Sequence, residues 1–353
     1  MTARRLTRVA DLVSQGLVEP EKEAALARVA ERFSVAITPQ MVDLLDPADP
    51  DDPIARQFLP TEAEFVTTPE ERGDPIGDDR CSPVKGIVHR YPDRVLLKPT
   101  HLCPVYCRFC FRREQVGPEG QTLTESELEA ALSYIRSHPE IWEVILSGGD
   151  PLLLSPRRMG RIVQSLDKID HLGAIRIHSR VPVVDPGRIT PGLLKALDTG
   201  KALFVVLHAN HPQEFSEGAR QAIGRLVSAG IPLLSQTVLL RGVNDDAETL
   251  TALFRRLVEM RVKPYYLHHG DLARGTSHFR TGIEEGQGLM RALRGAVSGL
   301  CQPTYVLDLP GGHGKVPIGP NYLARGKGPG KWRVEDPFGA THDYPPAAPE
   351  KGG

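Results

Sequence analysis

Neither sign of charge prevails in this chain. Its 43 Lys and Arg stand against 44 Asp and Glu over 353 residues, a formal net charge of −1. That balance removes the electrostatic case for a nucleic-acid or membrane-surface partner. Long apolar runs are also missing. The longest reach about six residues, far short of the ~20 a membrane helix needs. The opening Met1 to Arg8 is basic but has no apolar segment behind it, so no secretory leader is expected. Cysteine is scarce. Five residues, three of them in one stretch, make no disulfide framework, and free thiols suit a reducing cytoplasm. The rest of the composition, 40% apolar and 25% charged, is that of a soluble globular protein of one large or two ordinary domains.

The clustered cysteines carry the strongest signal. Cys103, Cys107 and Cys110 follow a C-x3-C-x2-C spacing, which lets one loop fold three thiolates around a corner of a cube. A [4Fe–4S] cluster normally takes four cysteines, one per iron. Three leave one iron open to hold and activate a small molecule. Structural zinc usually wants two pairs of ligands, and no second pair is present. Cys81 and Cys301 are isolated and read as ordinary thiols. The motif follows a strand-like run, Val95 to Thr100. A tri-cysteine loop at a strand's C-terminal end resembles the radical S-adenosylmethionine (SAM) enzymes. In those enzymes the open iron chelates SAM, and one electron releases a 5′-deoxyadenosyl radical.

The pattern along the chain is consistent with that resemblance. Residues 1 to about 60 are helix-like, with apolar residues at helical spacing in Ala10–Leu17 and Glu21–Phe33 and a shorter piece at Pro39–Leu45. Residues 61–85 are turn-rich and polar. Strand-like runs then occur at Val95–Lys98, Glu143–Leu146, Ala174–His178, Ala202–His208, Pro232–Leu240 and Pro264–His268. After the first step they recur roughly every 30 residues, the length of a βα unit. Thr124 to Glu127 reads as a capping box. Ser155-Pro156 and Thr190-Pro191 place an N-cap before a first-turn proline. Gly200 and Gly230 stand where helix C-caps belong. Alternation implies a parallel sheet with right-handed crossovers. The expected fold is α/β, a partial (β/α)6 TIM-like barrel over residues 86–300. An N-terminal helical segment, 1–85, precedes it, and a C-terminal segment, 301–353, follows. The tail from Arg325 lacks periodicity and reads as a strap that loses order toward its end.

In such a sheet chemistry gathers at the strand C-termini. Ser147-Gly148-Gly149-Asp150 ends the second barrel strand. Its glycines allow close backbone approach to a ligand, although alone they could mark a simple turn. Asp308 to Lys315 contains Pro310-Gly311-Gly312-His313-Gly314. A phosphate-binding P-loop needs a Gly, a Ser or Thr and a helix at set places. Leu309, Val316 and Pro317 occupy them, so that reading fails. A lysine on a glycine hairpin could form an imine with pyridoxal phosphate (PLP), or it could be an exposed loop lysine. Arg90, Tyr91 and Arg94 could bind a phosphate and stack on a pyridine ring, or form a solvated turn. Arg112 and Arg113 could clamp a carboxylate beside the radical source.

Taken together, Asp74–Asp78, His89–Lys98, Cys103–Gly117, Leu146–Pro151, His208–Pro212, Pro264–Arg280 and Pro303–Tyr322 resemble the lysine 2,3-aminomutase family over about residues 40–325. The resemblance implies an isomerase that uses a [4Fe–4S] cluster, SAM and PLP to convert lysine to β-lysine by a 1,2-amino shift. It implies that Cys103, Cys107 and Cys110 ligate the cluster and that Phe109 lies near the adenine. Gly148, Gly149, Asp150, His208 and Gln236 would contact SAM. Lys315 would carry PLP, with Arg90, Tyr91 and Arg94 around it. Arg112 would bind the substrate carboxylate. Asp271 and Asp308 would bind its ε-ammonium, whereas a glutamate-specific relative needs the opposite charge or a neutral residue there. A buried ammonium must be paired, and two facing carboxylates need a cation between them.

The expected partners are lysine and a reductant protein such as flavodoxin or ferredoxin, with no nucleic acid and no membrane, in a cytoplasmic homo-oligomer. The chain lacks the C-terminal cysteines with which longer lysine mutases bind structural zinc. Its length resembles that of relatives serving elongation factor P modification. Those relatives differ around the PLP lysine, so the chain matches neither branch cleanly; the alternative is a related 2,3-aminomutase of the same family that serves this modification or acts on another amino acid.

Overall fold

The computed structural model describes residues 4–117 and 120–345. One sheet organises it. Its strands are β1 (Ile87–Tyr91), β2 (Arg94–Thr100), β3 (Glu143–Gly148), β4 (Ala174–Ser179), β5 (Ala202–His208), β6 (Leu233–Val238), β7 (Val262–His268), β8 (Thr304–Asp308) and β9 (Lys315–Pro317), in that spatial order. β2 through β8 run parallel, while β1 and β9 are antiparallel edges. The six expected barrel strands thus form, and β8 adds a seventh parallel one. Residues from β1, β4, β6, β8 and β9 line a single cavity. Strands that far apart in one sheet can share a cavity only if the sheet curls, which gives a partial barrel.

Period-two side-chain alternation sorts the strands into two faces. On β4, Ile175 and Ile177 are fully buried in the outer core, while Arg176 and His178 line the cavity. On β7, Leu267 faces out, and Tyr266 and His268 face in. Helices cover the outer face. Glu125–Arg136 opens on the Thr124–Glu127 capping box. Pro156–Asp167 opens on Ser155 and buries Met159, Ile162, Val163 and Leu166, each contributing about 1.5–3 kcal/mol by burial. Ala247–Glu259 opens on Asp246 and buries Leu250, Leu253, Phe254 and Leu257. Gly230, at φ +78°, follows the helix Glu217–Ser228 as a C-cap glycine should. Gly200 does not cap a helix. The preceding helix ends at Ala196, and the Gly200 N–H donates to Asp167 instead.

Two regions differ from the sequence reading. The tail is partly a folded sheet: β10 (Leu323–Arg325), β11 (Trp332–Glu335) and β12 (Thr341–Tyr344) pair antiparallel. Cross-strand pairing in short polar strands leaves little periodic signal. The expected loss of order concerns residues 346–353, which lie outside the described residues, as do Met1–Ala3. No helix among the described residues is long and apolar enough to cross a membrane.

The N-terminal segment grips the cysteine loop through buried charge. Arg108, 1% exposed, donates from Nε to Glu64 Oε1 at 3.0 Å and from Nη1 to the Ser34 carbonyl at 2.9 Å. Arg113 also pairs with Glu64, which is fully buried. Burial alone would push the Glu64 carboxyl up. Arg108 and then Arg113 more than reverse this and hold it below its ordinary value. Glu64→Gln leaves two buried guanidiniums short of a counter-charge. It is expected to destabilise the fold by about 3–5 kcal/mol, read as a lower denaturant midpoint.

Candidate active site

The residues given roles by the resemblance all line one cavity of about 710 Å³ inside the curled sheet; Arg113, the second arginine of the expected carboxylate clamp, does not, because it turns away to pair with buried Glu64. Cys103, Cys107, Cys110 and Phe109 close one side, Gly148, Gly149, His208 and Gln236 lie along the strand ends, and Arg90, Tyr91, Arg94, Asp308 and Lys315 form the far wall.

The cysteine loop sits tightly on the end of β3. The Gly149 and Asp150 N–H groups donate to the Thr100 and Leu102 carbonyls, each at 2.8 Å. A Cβ on Gly149 would stand 2.2 Å from the Leu102 oxygen. Close approach by the chain leading into Cys103 therefore demands this glycine, whatever ligand lies beyond. The Asp150 carboxylate is occupied internally. It accepts from Leu152 N at 3.1 Å, Ser179 Oγ at 2.8 Å, Arg180 N at 2.7 Å and Val181 N at 3.1 Å. It thereby orients Arg180.

Arg180 was not singled out in the sequence. Its Nη1 donates to Cys107 Sγ at 2.7 Å, and its Nη2 reaches Glu214 and Gln57, each at 2.7 Å. A fixed guanidinium thus offsets negative charge on that sulfur. Burial pushes the Cys103, Cys107 and Cys110 thiols upward, Cys110 to about 11. Without a metal these sulfurs keep their protons. Among the described residues no three metal-binding side chains converge on one ion. A cluster places each thiolate on a different iron, so the donor set fits a cluster. Phe109 packs edge-on to His208 at 5.9 Å and to Phe279 at 6.1 Å. His208 is the register partner of Gln236, and its buried Nε2 has no partner among the described residues.

Asp78, another residue without an assigned role, organises the basic wall. It is 1% exposed. It accepts from Arg90 Nη2 at 3.0 Å, Arg112 Nε at 3.0 Å and Arg112 Nη2 at 2.8 Å, and Lys98 Nζ is 3.8 Å away. Three cations share one buried carboxylate, so this wall favours anions. Arg112 Nη1 lies 3.5 Å from Ser147 Oγ at the cavity side, and the buried Arg90 Nε has no partner among the described residues.

The same lining also carries acids. Asp308 and Lys315 are cross-strand partners in the β8–β9 hairpin, so their spacing of seven residues brings them into contact. The Lys315 ammonium pairs with Asp308 Oδ2 and lies 3.2 Å from His268 Nδ1. The Lys315 N–H donates to Tyr91 Oη at 2.7 Å, and the Arg94 guanidinium sits 3.8 Å over the Tyr91 ring. The hairpin turn needs positive φ at Gly311, Gly312 and Gly314. Asp271 lies three residues beyond the end of β7. Burial, and then the like charge of Asp308, raise it to about 7. Burial pushes Asp308 the same way, but the His268 hydrogen bond and the Lys315 charge hold it well below the usual carboxylate range.

A strand-end cavity carrying three cysteines in a partial barrel defines a radical SAM enzyme. Residues 97–253 match the radical SAM superfamily model, which implies SAM and an iron–sulfur cluster. Residues 290–331 match the lysine-2,3-aminomutase model. The chain is 42% identical to L-lysine 2,3-aminomutase of Clostridium subterminale over 90% of its own length and 77% of that protein's. A putative L-lysine 2,3-aminomutase of Aquifex aeolicus is also 42% identical, over 89% and 85%. Glutamate 2,3-aminomutase of Clostridioides difficile is 36% identical, over 87% and 72%. The chain belongs to the lysine 2,3-aminomutase family, whose members are isomerases.

Proposed function

We infer that this protein moves the α-amino group of L-lysine to its β-carbon, using a [4Fe–4S] cluster with SAM and PLP. One observation carries the choice of lysine: the Asp271–Asp308 end of the cavity already holds an ammonium, that of Lys315. A substrate carboxylate there would meet two acids, so glutamate is a poor fit. Bound cluster and SAM supply hydrogen-atom removal from an unactivated carbon, and PLP holds the migrating nitrogen.

The chain's own groups divide the remaining work. Cys103, Cys107 and Cys110 would hold the cluster, with Arg180 against Cys107. Phe109, Gly148, Gly149, His208 and Gln236 line the space for SAM, and Asp150 supports that wall from within. Lys315 would carry PLP. Tyr91 fixes the Lys315 backbone, and Arg90, with its unpartnered Nε, and Arg94 offer charge to the phosphate. Arg112, held from behind by Asp78, turns Nη1 toward the substrate carboxylate. Arg112 and the acids Asp271 and Asp308 together align a zwitterion with a terminal ammonium, which is positioning by charge at both ends.

The test is anaerobic incubation of reconstituted protein with SAM, PLP, a reductant and either lysine or glutamate. Chiral analysis of the product is expected to show β-lysine and no β-glutamate. Borohydride is expected to trap PLP on the peptide containing Lys315. Glutamate turnover equal to that of lysine would overturn the substrate, and trapping elsewhere would overturn the cofactor assignment. A flavodoxin or ferredoxin is the reductant we propose for the cell.

A further inference from the structure

Lys315, Asp308 and His268 form a closed set on three adjacent strands. Lys315 Nζ touches Asp308 Oδ2 and stands 3.2 Å from His268 Nδ1, and that Nδ1 is 3.4 Å from the same carboxylate oxygen. An ammonium can only donate. Nδ1 can accept from Lys315 only in the neutral tautomer that carries its proton on Nε2, whereas the other tautomer donates Nδ1–H to Asp308. Nε2 is buried and has no partner among the described residues. An amine must shed its proton before it can attack a carbonyl. A carboxylate in contact favours the charged ammonium, so Asp308 opposes the step that attachment to PLP requires.

We propose that His268 is the base that makes Lys315 nucleophilic, a catalytic residue for joining PLP to this chain and for releasing it. This rests on the PLP reading of Lys315 given above. In the step, one N–H bond of Lys315 Nζ breaks and one forms at His268 Nδ1. The positive charge passes from ammonium to imidazolium and stays within 3.4 Å of Asp308. The ion pair is kept and the charge of the cavity does not change. The freed amine then condenses with the aldehyde of PLP with loss of one water. Release runs the proton back.

The surroundings fit this use. Lys315 and Asp308 face His268 from the neighbouring hairpin, His178 from β4, His208 from β5 and Tyr266 from its own strand. Burial, and then the Lys315 charge, lower the proton affinity of His268 against the pull of Asp308. The imidazole is therefore neutral when the proton arrives.

The test uses the full-length chain stripped of PLP. Absorbance growth after PLP addition is followed by stopped flow between pH 6.5 and 9.5. His268→Gln keeps a polar side chain but has no titrating nitrogen. At pH 7 it is expected to attach PLP about 10²-fold more slowly than the native chain. The deficit should narrow as pH rises, where solvent hydroxide competes with the imidazole for that proton. His268→Ala should be equally slow and be rescued by added imidazole. Unchanged iron content in both variants shows that the fold is kept. Native rates in the Gln variant at every pH would overturn the proposal. So would a deficit that is constant with pH and indifferent to imidazole, since that marks a packing role. Failure of the native chain to take PLP on Lys315 would overturn both this step and the reading it rests on.

Discussion

Replacing Cys107 with alanine is expected to abolish iron retention and turnover together. Native protein reconstituted without oxygen should hold about four irons and four sulfides, and SAM should perturb its electron paramagnetic spectrum. With one thiolate gone, two ligands face four irons, and no other cysteine lines the cavity to replace the third. Arg180 would also lose the sulfur it touches, while Glu214 still balances its charge. The fold should therefore survive, which separates loss of the cluster from unfolding. Cys301→Ala is the control. That thiol is 4% exposed in the outer core, and its loss should leave iron unchanged. Full iron content in Cys107→Ala, or one zinc and no iron in the native chain, would refute the cluster assignment.

The parts of the structure legible in the sequence are those written locally. Strand period, the Thr124 capping box and the Ser155 N-cap each depend on residues within a few positions. The tri-cysteine loop and the glycine hairpin are equally local, and both fall where expected. The residues that hold them in place are not local. Asp78 reaches Arg112 across 34 positions, and Arg180 reaches Gln57 across 123. In sequence, Asp78 and Glu64 look like surface acids. Only the fold shows that each is buried among cations. Arg176 and His178 did carry a usable signal, because polar residues alternating with Ile175 and Ile177 in a parallel strand point toward a lumen. The resemblance to a known family supplied the roles of residues that spacing alone left open. It was silent on His268, which the geometry of this chain brings to Lys315.

The proposed choice of lysine rests on Asp271 and Asp308, and the two acids should respond differently. Asp308→Asn and Asp271→Asn are each expected to lower kcat/KM for lysine by roughly 10²–10³-fold, because losing one partner of a desolvated charge costs about 3–5 kcal/mol. Iron content and PLP trapping should persist in both. The pH profile separates the roles. Asp271, raised to about 7 by burial and by Asp308, is charged above that pH and neutral below it. In the native enzyme, kcat/KM for lysine should therefore fall as pH drops through about 7. In Asp308→Asn the like charge is gone, so the Asp271 carboxyl titrates lower and the acid limb should shift to lower pH. In Asp271→Asn the limb should vanish. Leucine, which has no terminal ammonium, should be a poor substrate throughout and show no such limb. An acid limb that stays put in both variants would mean that neither carboxylate faces the substrate. The cavity would then have to select lysine by some means other than charge.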